Sequence, residues 1–159
     1  MAGMFNEGLR SSAQDTWTTP RSFYDRLDKE FDFALDAAAL SASTLVPSNW
    51  YGPDHPEQAR QDALNRDWVA DSLGGTVWLN PPYGRTIKKF MAKADAEAKR
   101  GASIVCLVPS RTDTGWWWDS VIHHEVRFIK GRLRFGNSSN SAPFPSAVVI
   151  MRGDNVNRG

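Results

Sequence analysis

Apolar positions recur along this chain in short bursts separated by turn residues, and the bursts switch between two periods. Phe23, Leu27 and Phe31 follow the spacing of one helix face. They predict a helix from Pro20 to about Lys29, with Thr19 as its N-cap and Pro20 at the first helical position. Phe33-Ala34-Leu35-Asp36 predicts a strand, and Val77-Trp78-Leu79 predicts a buried strand that Pro81 and Pro82 terminate. The period then lengthens. Ile87, Phe90, Met91, Ala94 and Ala98 mark one face of a helix that Gly101 stops, while Lys88, Lys89, Lys93, Lys99 and Arg100, interrupted by Asp95 and Glu97, mark its exposed face. Ser103 to Val108 is apolar throughout, as in a parallel strand covered on both faces. Trp116, Trp117 and Trp118 predict a short helix capped by Asp113, and Ala147 to Met151 predict the last strand. Between Arg127 and Phe135, basic and apolar residues interleave as in a two-strand ribbon around Gly131. Pro47, Gly52, Pro53 and Pro56 break residues 41–65, so no long element is expected there. Strands alternating with helical stretches define an α/β class with a mostly parallel, twisted sheet.

A chain of 159 residues supports one domain with a substantial core. We expect a flexible N-terminus over residues 1–14, a single domain over 15–152 and a flexible tail over 153–159. The net charge of +1 exerts no global pull on nucleic acid, so any such binding has to come from local basic patches. The single Cys106 lies in an apolar run and reads as a small core residue of an intracellular protein. The first nine residues lack the pattern of a signal peptide, and no apolar stretch is long enough to span a membrane, so a cytoplasmic location is expected. No Cys/His pattern points to zinc. His123 and His124 are adjacent on a predicted helix and should point to different sides, so no metal is expected.

The candidate chemistry is concentrated in Asn80-Pro81-Pro82-Tyr83. Asn80 comes directly after a strand, and the carboxyl ends of strands are where open α/β sheets bind ligands. Two prolines stiffen the turn and leave its carbonyls unused by a helix. The Asn80 side-chain oxygen and the Pro81 carbonyl then form a pair of fixed acceptors suited to an –NH2 group, and Tyr83 offers a flat face for a ring. An exocyclic amine on a nucleobase fits these features. Asp36 presents an acid at a second strand end. Either it is the N-cap of a helix, or it binds a cofactor amine or ribose hydroxyls across the small residues Ala37 and Ala38.

Several blocks in order resemble the small phage DNA N6-adenine methyltransferases: Asp15 to Pro20, Phe33 to Ala39, Val77 to Gly84, Leu107 to Thr114, Phe128 to Gly136 and Ser141 to Val149. The resemblance covers about Asp15 to Met151. It implies a compact, Rossmann-like class I methyltransferase fold and methyl transfer from S-adenosyl-L-methionine to N6 of a flipped-out adenine in duplex DNA. In that family such modification masks phage DNA from host restriction. The resemblance also implies that Trp17, Thr18, Thr19 and Pro20 approach the methionine end of the cofactor. The usual glycine-rich methyltransferase loop is absent; Leu35-Asp36-Ala37-Ala38-Ala39 stands in its place. Asp62, Asp67 and Trp68 are candidates for the adenine end of the cofactor, with Asp62 preferred. Arg85 and Lys88 lie near the site and are candidates for DNA contact, as is Arg111 at the next strand end. Lys130, Arg132 and Arg134 form either a phosphate-contacting face or a charged solvent edge. Phe144 either walls the base pocket or plugs the sheet end. The alternatives to adenine methylation are N4-cytosine methylation, which more often carries Ser or Asp in place of Asn80, and a non-catalytic module that binds single strands without a cofactor.

Overall fold

A computed structural model describes residues 17–136 and 140–153. The expected flexible segments at residues 1–14 and beyond Gly153 lie outside the described residues. The elements are α1 (Arg21–Phe31), β1 (Phe33–Asp36), two single 3-10 turns (Gln58–Arg60 and Ala63–Asn65), α2 (Trp68–Asp71), β2 (Thr76–Leu79), α3 (Ile87–Lys99), β3 (Ser103–Pro109), α4 (Gly115–Ser120), β4 (Glu125–Phe128) and β5 (Ser146–Met151). The α/β class stands. The sheet, however, is mixed, with strand order β1-β2-β3-β5-β4. β1, β2 and β3 pair in parallel, whereas β5 runs antiparallel to both β3 and β4. Parallel neighbours need a crossover, which residues 37–75 and α3 supply. No helix separates β4 from β5 among the described residues, so they meet antiparallel.

The carboxyl ends of β1, β2 and β3 therefore share one edge of the sheet. β3 is buried from Ile104 to Val108, as a strand covered on both faces must be. Trp78 of β2 meets Tyr24 of α1 edge-on at 5.4 Å and Phe33 of β1 at 5.2 Å. This aromatic seam seats α1 on the sheet. Tyr24 and Leu27 are the buried residues of α1, while Phe23 and Phe31 pack at its margin. α1 runs two residues beyond the predicted Lys29 and ends at Asp32, whose φ of 55° is left-handed.

Several local expectations are corrected. Thr19 does not cap α1. Pro20 occupies the N-cap position, and the Thr19 hydroxyl is engaged by Asn80. Asp113 does not cap α4. The N-cap is Thr114, and its hydroxyl donates to the Arg111 carbonyl instead. Residues around Gly131 do not form a two-strand ribbon. β4 pairs with β5, and residues 129–136 cross as an irregular segment tied by Ala142 N–H to the Leu133 carbonyl. Arg127 is withdrawn from the basic face, because its guanidinium forks onto both Glu30 carboxylate oxygens at 2.7 Å. Finally, Asp95 and Glu97 are buried rather than solvated, and they neutralise the lysine-rich side of α3: Lys93 and Arg100 pair with Glu97, and Lys99 with Asp95.

Candidate active site

A cavity of ≈ 270 Å³ opens at the shared strand edge. That size is close to the lower end, about 300 Å³, of small-ligand sites. Trp17, Thr18, Thr19, Asp36, Ala37, Ala38 and Asp62 all line it, as do Asn80, Pro81 and Pro82. The first seven were read from sequence as cofactor-binding and the last three as catalytic. The fold gathers them from four separate stretches. Pro20, Tyr83 and Phe144 are outside its lining.

Asn80 is held by its amide nitrogen. That group donates to the Trp17 carbonyl and, at 2.9 Å, to the Thr19 hydroxyl. The Asn80 Oδ1 is buried and has no hydrogen-bond partner. With both amide hydrogens committed, the orientation is set and the acceptor is left over. A buried acceptor without a partner is costly, by about 1–3 kcal/mol, unless a ligand supplies the donor.

Asp36 repeats this pattern. Its Oδ2 accepts from the Leu45 backbone N–H at 2.9 Å and the Thr44 hydroxyl at 3.3 Å, while Oδ1 is buried without a partner. Burial pushes the Asp36 carboxyl up to about 6, and the bonds from Leu45 and Thr44, with the Ala38 N–H nearby, only partly oppose it. Ala37, Ala38 and Ala39 keep side chains short beside it, so a ligand can approach the backbone. The anionic acceptor of Asp36, in the lining of a cavity walled by Trp17, Trp78 and Phe90, suits a ligand with amine or hydroxyl donors and an apolar or aromatic body. That donor set fits S-adenosyl-L-methionine.

Much of the far wall of the cavity was not legible in the sequence. Leu40, Ser43, Leu45, Gln61 and Leu64, with Tyr51, come from the connection between β1 and α2, which has no period to read. It is fixed instead by backbone ladders and polar ties. Tyr51 N–H donates to the Asp36 carbonyl and Ala39 N–H to the Tyr51 carbonyl, each at 2.9 Å. The Asn49 amide donates to the Ala34 and Asp71 carbonyls. The sequence signals here were the turn pair Gly52-Pro53 and the stretch Asn49-Trp50-Tyr51, read either as near the cofactor or as loop packing; of that stretch Tyr51 lines the cavity. Asp62 reaches the cavity, but its carboxylate also accepts from Leu64 N–H and Asn65 as the cap of the second 3-10 turn.

Tyr83 lies next to the cavity in a cluster with Trp17, Phe135 and Phe144. Its hydroxyl donates to the Leu107 carbonyl at 3.0 Å, and its ring meets Phe144 edge-on at 5.6 Å. Burial drives the phenol well above its ordinary pKa, so it stays neutral. Phe144 also meets Trp17 at 5.2 Å, and Arg111 lies over its outer face at 5.9 Å. Arg85 and Lys88 are exposed and share a shallow groove with Lys89 and Trp116. Lys130, Arg132 and Arg134 are exposed on the irregular segment that leads into Phe135.

The unsatisfied acceptors lie at adjacent parallel strand ends, beside a stiff Asn-Pro-Pro-Tyr turn, and the carboxyl ends of such strands are where open α/β sheets bind ligands. The chain belongs to the DNA N-6-adenine-methyltransferase (Dam) family, whose model matches residues 7–154. It is similar to a DNA N-6-adenine-methyltransferase of Escherichia phage T1, with 30% identity over 110 residues. That match covers 69% of this chain and 42% of the phage protein, so the chain spans less than half the length of that relative. Among the described residues no helix is long and apolar enough to cross a membrane.

Proposed function

We propose that this chain transfers a methyl group from S-adenosyl-L-methionine to N6 of an adenine flipped out of duplex DNA, on a Rossmann-like methyltransferase scaffold. The observation that carries this reading is the buried, partnerless Asn80 Oδ1, held in place by the bonds its own amide nitrogen makes. S-adenosyl-L-methionine, when bound, supplies an electrophilic methyl group on a sulfonium. Asp36, with its second oxygen uncommitted, would hold the cofactor's amine or ribose hydroxyls, and Trp17 to Thr19 would flank its methionine end.

Asn80 Oδ1 and the Pro81 carbonyl accept the two hydrogens of the adenine amine. Those bonds draw N6 from planar toward tetrahedral and release its lone pair from conjugation with the ring; the new N–C bond replaces the methyl–sulfur bond, and the methylated nitrogen then gives up its surplus proton to solvent. Both acceptors are fixed before the substrate arrives, so positioning and preorganised dipoles supply the catalysis. No covalent intermediate on the protein is invoked; Cys106 is fully buried in β3, and burial raises its thiol pKa far above neutrality. Tyr83 is the stacking platform for the base. Its ring is packed against Phe135 and Phe144, so seating an adenine on it requires that cluster to open. Arg85, Lys88, Arg111, Lys130, Arg132 and Arg134 would hold the flanking phosphates. The biological role that goes with this activity is protection of phage DNA from restriction in the cytoplasm of the bacterial host.

The test uses methyl-labelled S-adenosyl-L-methionine with adenine-containing and adenine-free duplexes, then digestion and separation of the nucleosides. Label is expected in N6-methyladenine. Asn80→Ala should lower turnover by at least about a hundredfold, the loss typical of one preorganised charge-stabilising group, and leave cofactor binding in place. Label in N4-methylcytosine would move the substrate to the other conjugated amine. Undiminished turnover by Asn80→Ala would remove Asn80 from the mechanism.

A further inference from the structure

Sequence spacing placed His123 and His124 on a helix, pointing apart. The structure corrects this. Both lie in the turn between α4 and β4, and both rings face Asp95 on α3, with their centroids 4.4 Å apart. His123 Nε2 is 2.9 Å and His124 Nε2 is 2.7 Å from the same oxygen, Asp95 Oδ1. The three ligand-type atoms all lie within 4.8 Å of one another. The other oxygen, Oδ2, is held at 3.0 Å by Lys99, whose ammonium is mostly exposed.

We propose that Asp95, His123 and His124 form a binding site for a divalent transition-metal ion of the zinc type, separate from the strand-edge cavity, which none of the three lines. Two neutral imidazoles and one carboxylate are a donor set that zinc and its neighbours favour. Ligand atoms around a tetrahedral zinc with bonds near 2.0–2.1 Å lie about 3.3 Å apart. The two Nε2–Oδ1 gaps therefore need to widen by about half an ångström, and the two Nε2 atoms, within 4.8 Å of each other, need to close toward that spacing by rotation of the His123 and His124 rings. The Lys99 charge opposes the ion, but its exposure lets it swing into solvent. The His123 side chain is 44% exposed, against 13% for His124 and 9% for Asp95, so an ion can enter from the His123 side and keep water as its remaining ligand. The bound ion would fasten the turn before edge strand β4 to α3.

The test is a zinc titration of the full, tag-free chain by calorimetry, with cobalt as an optical reporter of the coordination geometry and thermal melting as a second readout. One equivalent should bind, with a rise in melting temperature and the absorption bands of four-coordinate cobalt. His123→Ala removes the most exposed ligand and should weaken zinc at least about tenfold while leaving the metal-free melting temperature nearly unchanged. Asp95→Asn and His124→Gln should abolish the melting response. Two results would overturn the proposal: a wild-type chain whose melting temperature and heats ignore zinc, or a His123→Ala chain that binds it as the wild type does. In the first case the two histidines serve only as hydrogen-bond donors to a buried carboxylate. None of these readouts depends on methyl transfer, so the outcome is independent of the proposed activity.

Discussion

Asn80 uses its two polar atoms for opposite ends. The nitrogen is consumed by the fold, through the Trp17 carbonyl and the Thr19 hydroxyl, and the oxygen is withheld from it. Thr19 is diverted from capping α1 to make this possible. Asp36 is a second residue at which local stability is sacrificed. Its folded-state pKa, about 6, lies above the ordinary 3.8, so the folded chain binds more protons than the unfolded one between those values. Stability from this group is therefore present below about pH 4 and is lost as pH rises through 6. The shift corresponds to a penalty of up to about 3 kcal/mol at pH 7. Asp36→Asn keeps an acceptor for Leu45 and Thr44 but cannot ionise. Urea denaturation from pH 4 to pH 7 should show the variant gaining stability relative to wild type as pH rises, by up to about 3 kcal/mol. Cofactor affinity should fall in the same variant. A stability difference that stays flat with pH would mean that Asp36 does not ionise at a cost in the folded chain.

At the scale of elements, the strands and α3 are legible from period alone, whereas the connection over residues 37–67 is not. Its shape comes from close backbone packing. A Cβ on Gly52 would stand 1.8 Å from the Ala39 carbonyl oxygen and 2.8 Å from the Trp50 ring. Backbone cannot yield as a side-chain tip does, so this position requires glycine. Gly52→Ala should destabilise the chain by about 2–3 kcal/mol, read as a lower urea midpoint. It should also weaken cofactor binding, because Tyr51 and Gly52 wall the cavity. An unchanged midpoint would show that the loop does not pack on Ala39. The ribbon expected around Gly131 failed for a related reason. Alternation alone cannot tell a hairpin from one strand and an irregular crossing after it, and the partner of β4 proved to be β5, far along the chain.

Across the whole molecule, a net charge of +1 hides an uneven distribution. Lys93, Lys99, Arg100 and Arg127 are committed to ion pairs within the fold. Arg85, Lys88 and Lys89 instead share an exposed groove with Trp116, just beyond the Tyr83-Gly84 turn. DNA affinity should therefore depend on that groove and on Arg111 more than on the total charge. Arg85→Ala with Lys88→Ala should weaken binding of all duplexes alike and flatten the slope of log affinity against log salt by about 2, one unit for each lost phosphate contact. Fluorescence anisotropy over a salt series checks this, and an unchanged slope would place the DNA elsewhere.

The strand ends on which the cavity opens were readable from local pattern, because period, proline and glycine act locally: Asp36 after one apolar run, Asn80 after another, and the stiff Pro81-Pro82 turn. The order of the motif blocks also singled out most of the side chains on one wall of the cavity. Which atoms remain uncommitted follows from the folded contacts alone. The engaged nitrogen and free oxygen of Asn80 depend on Trp17 and Thr19, which are distant in sequence. The burial of Asp36 depends on the unpatterned loop folded over it. The convergence of His123 and His124 on Asp95 depends on how α3 packs against α4. Each of these is a contact across the fold, and hydrophobic period carries no information about such contacts.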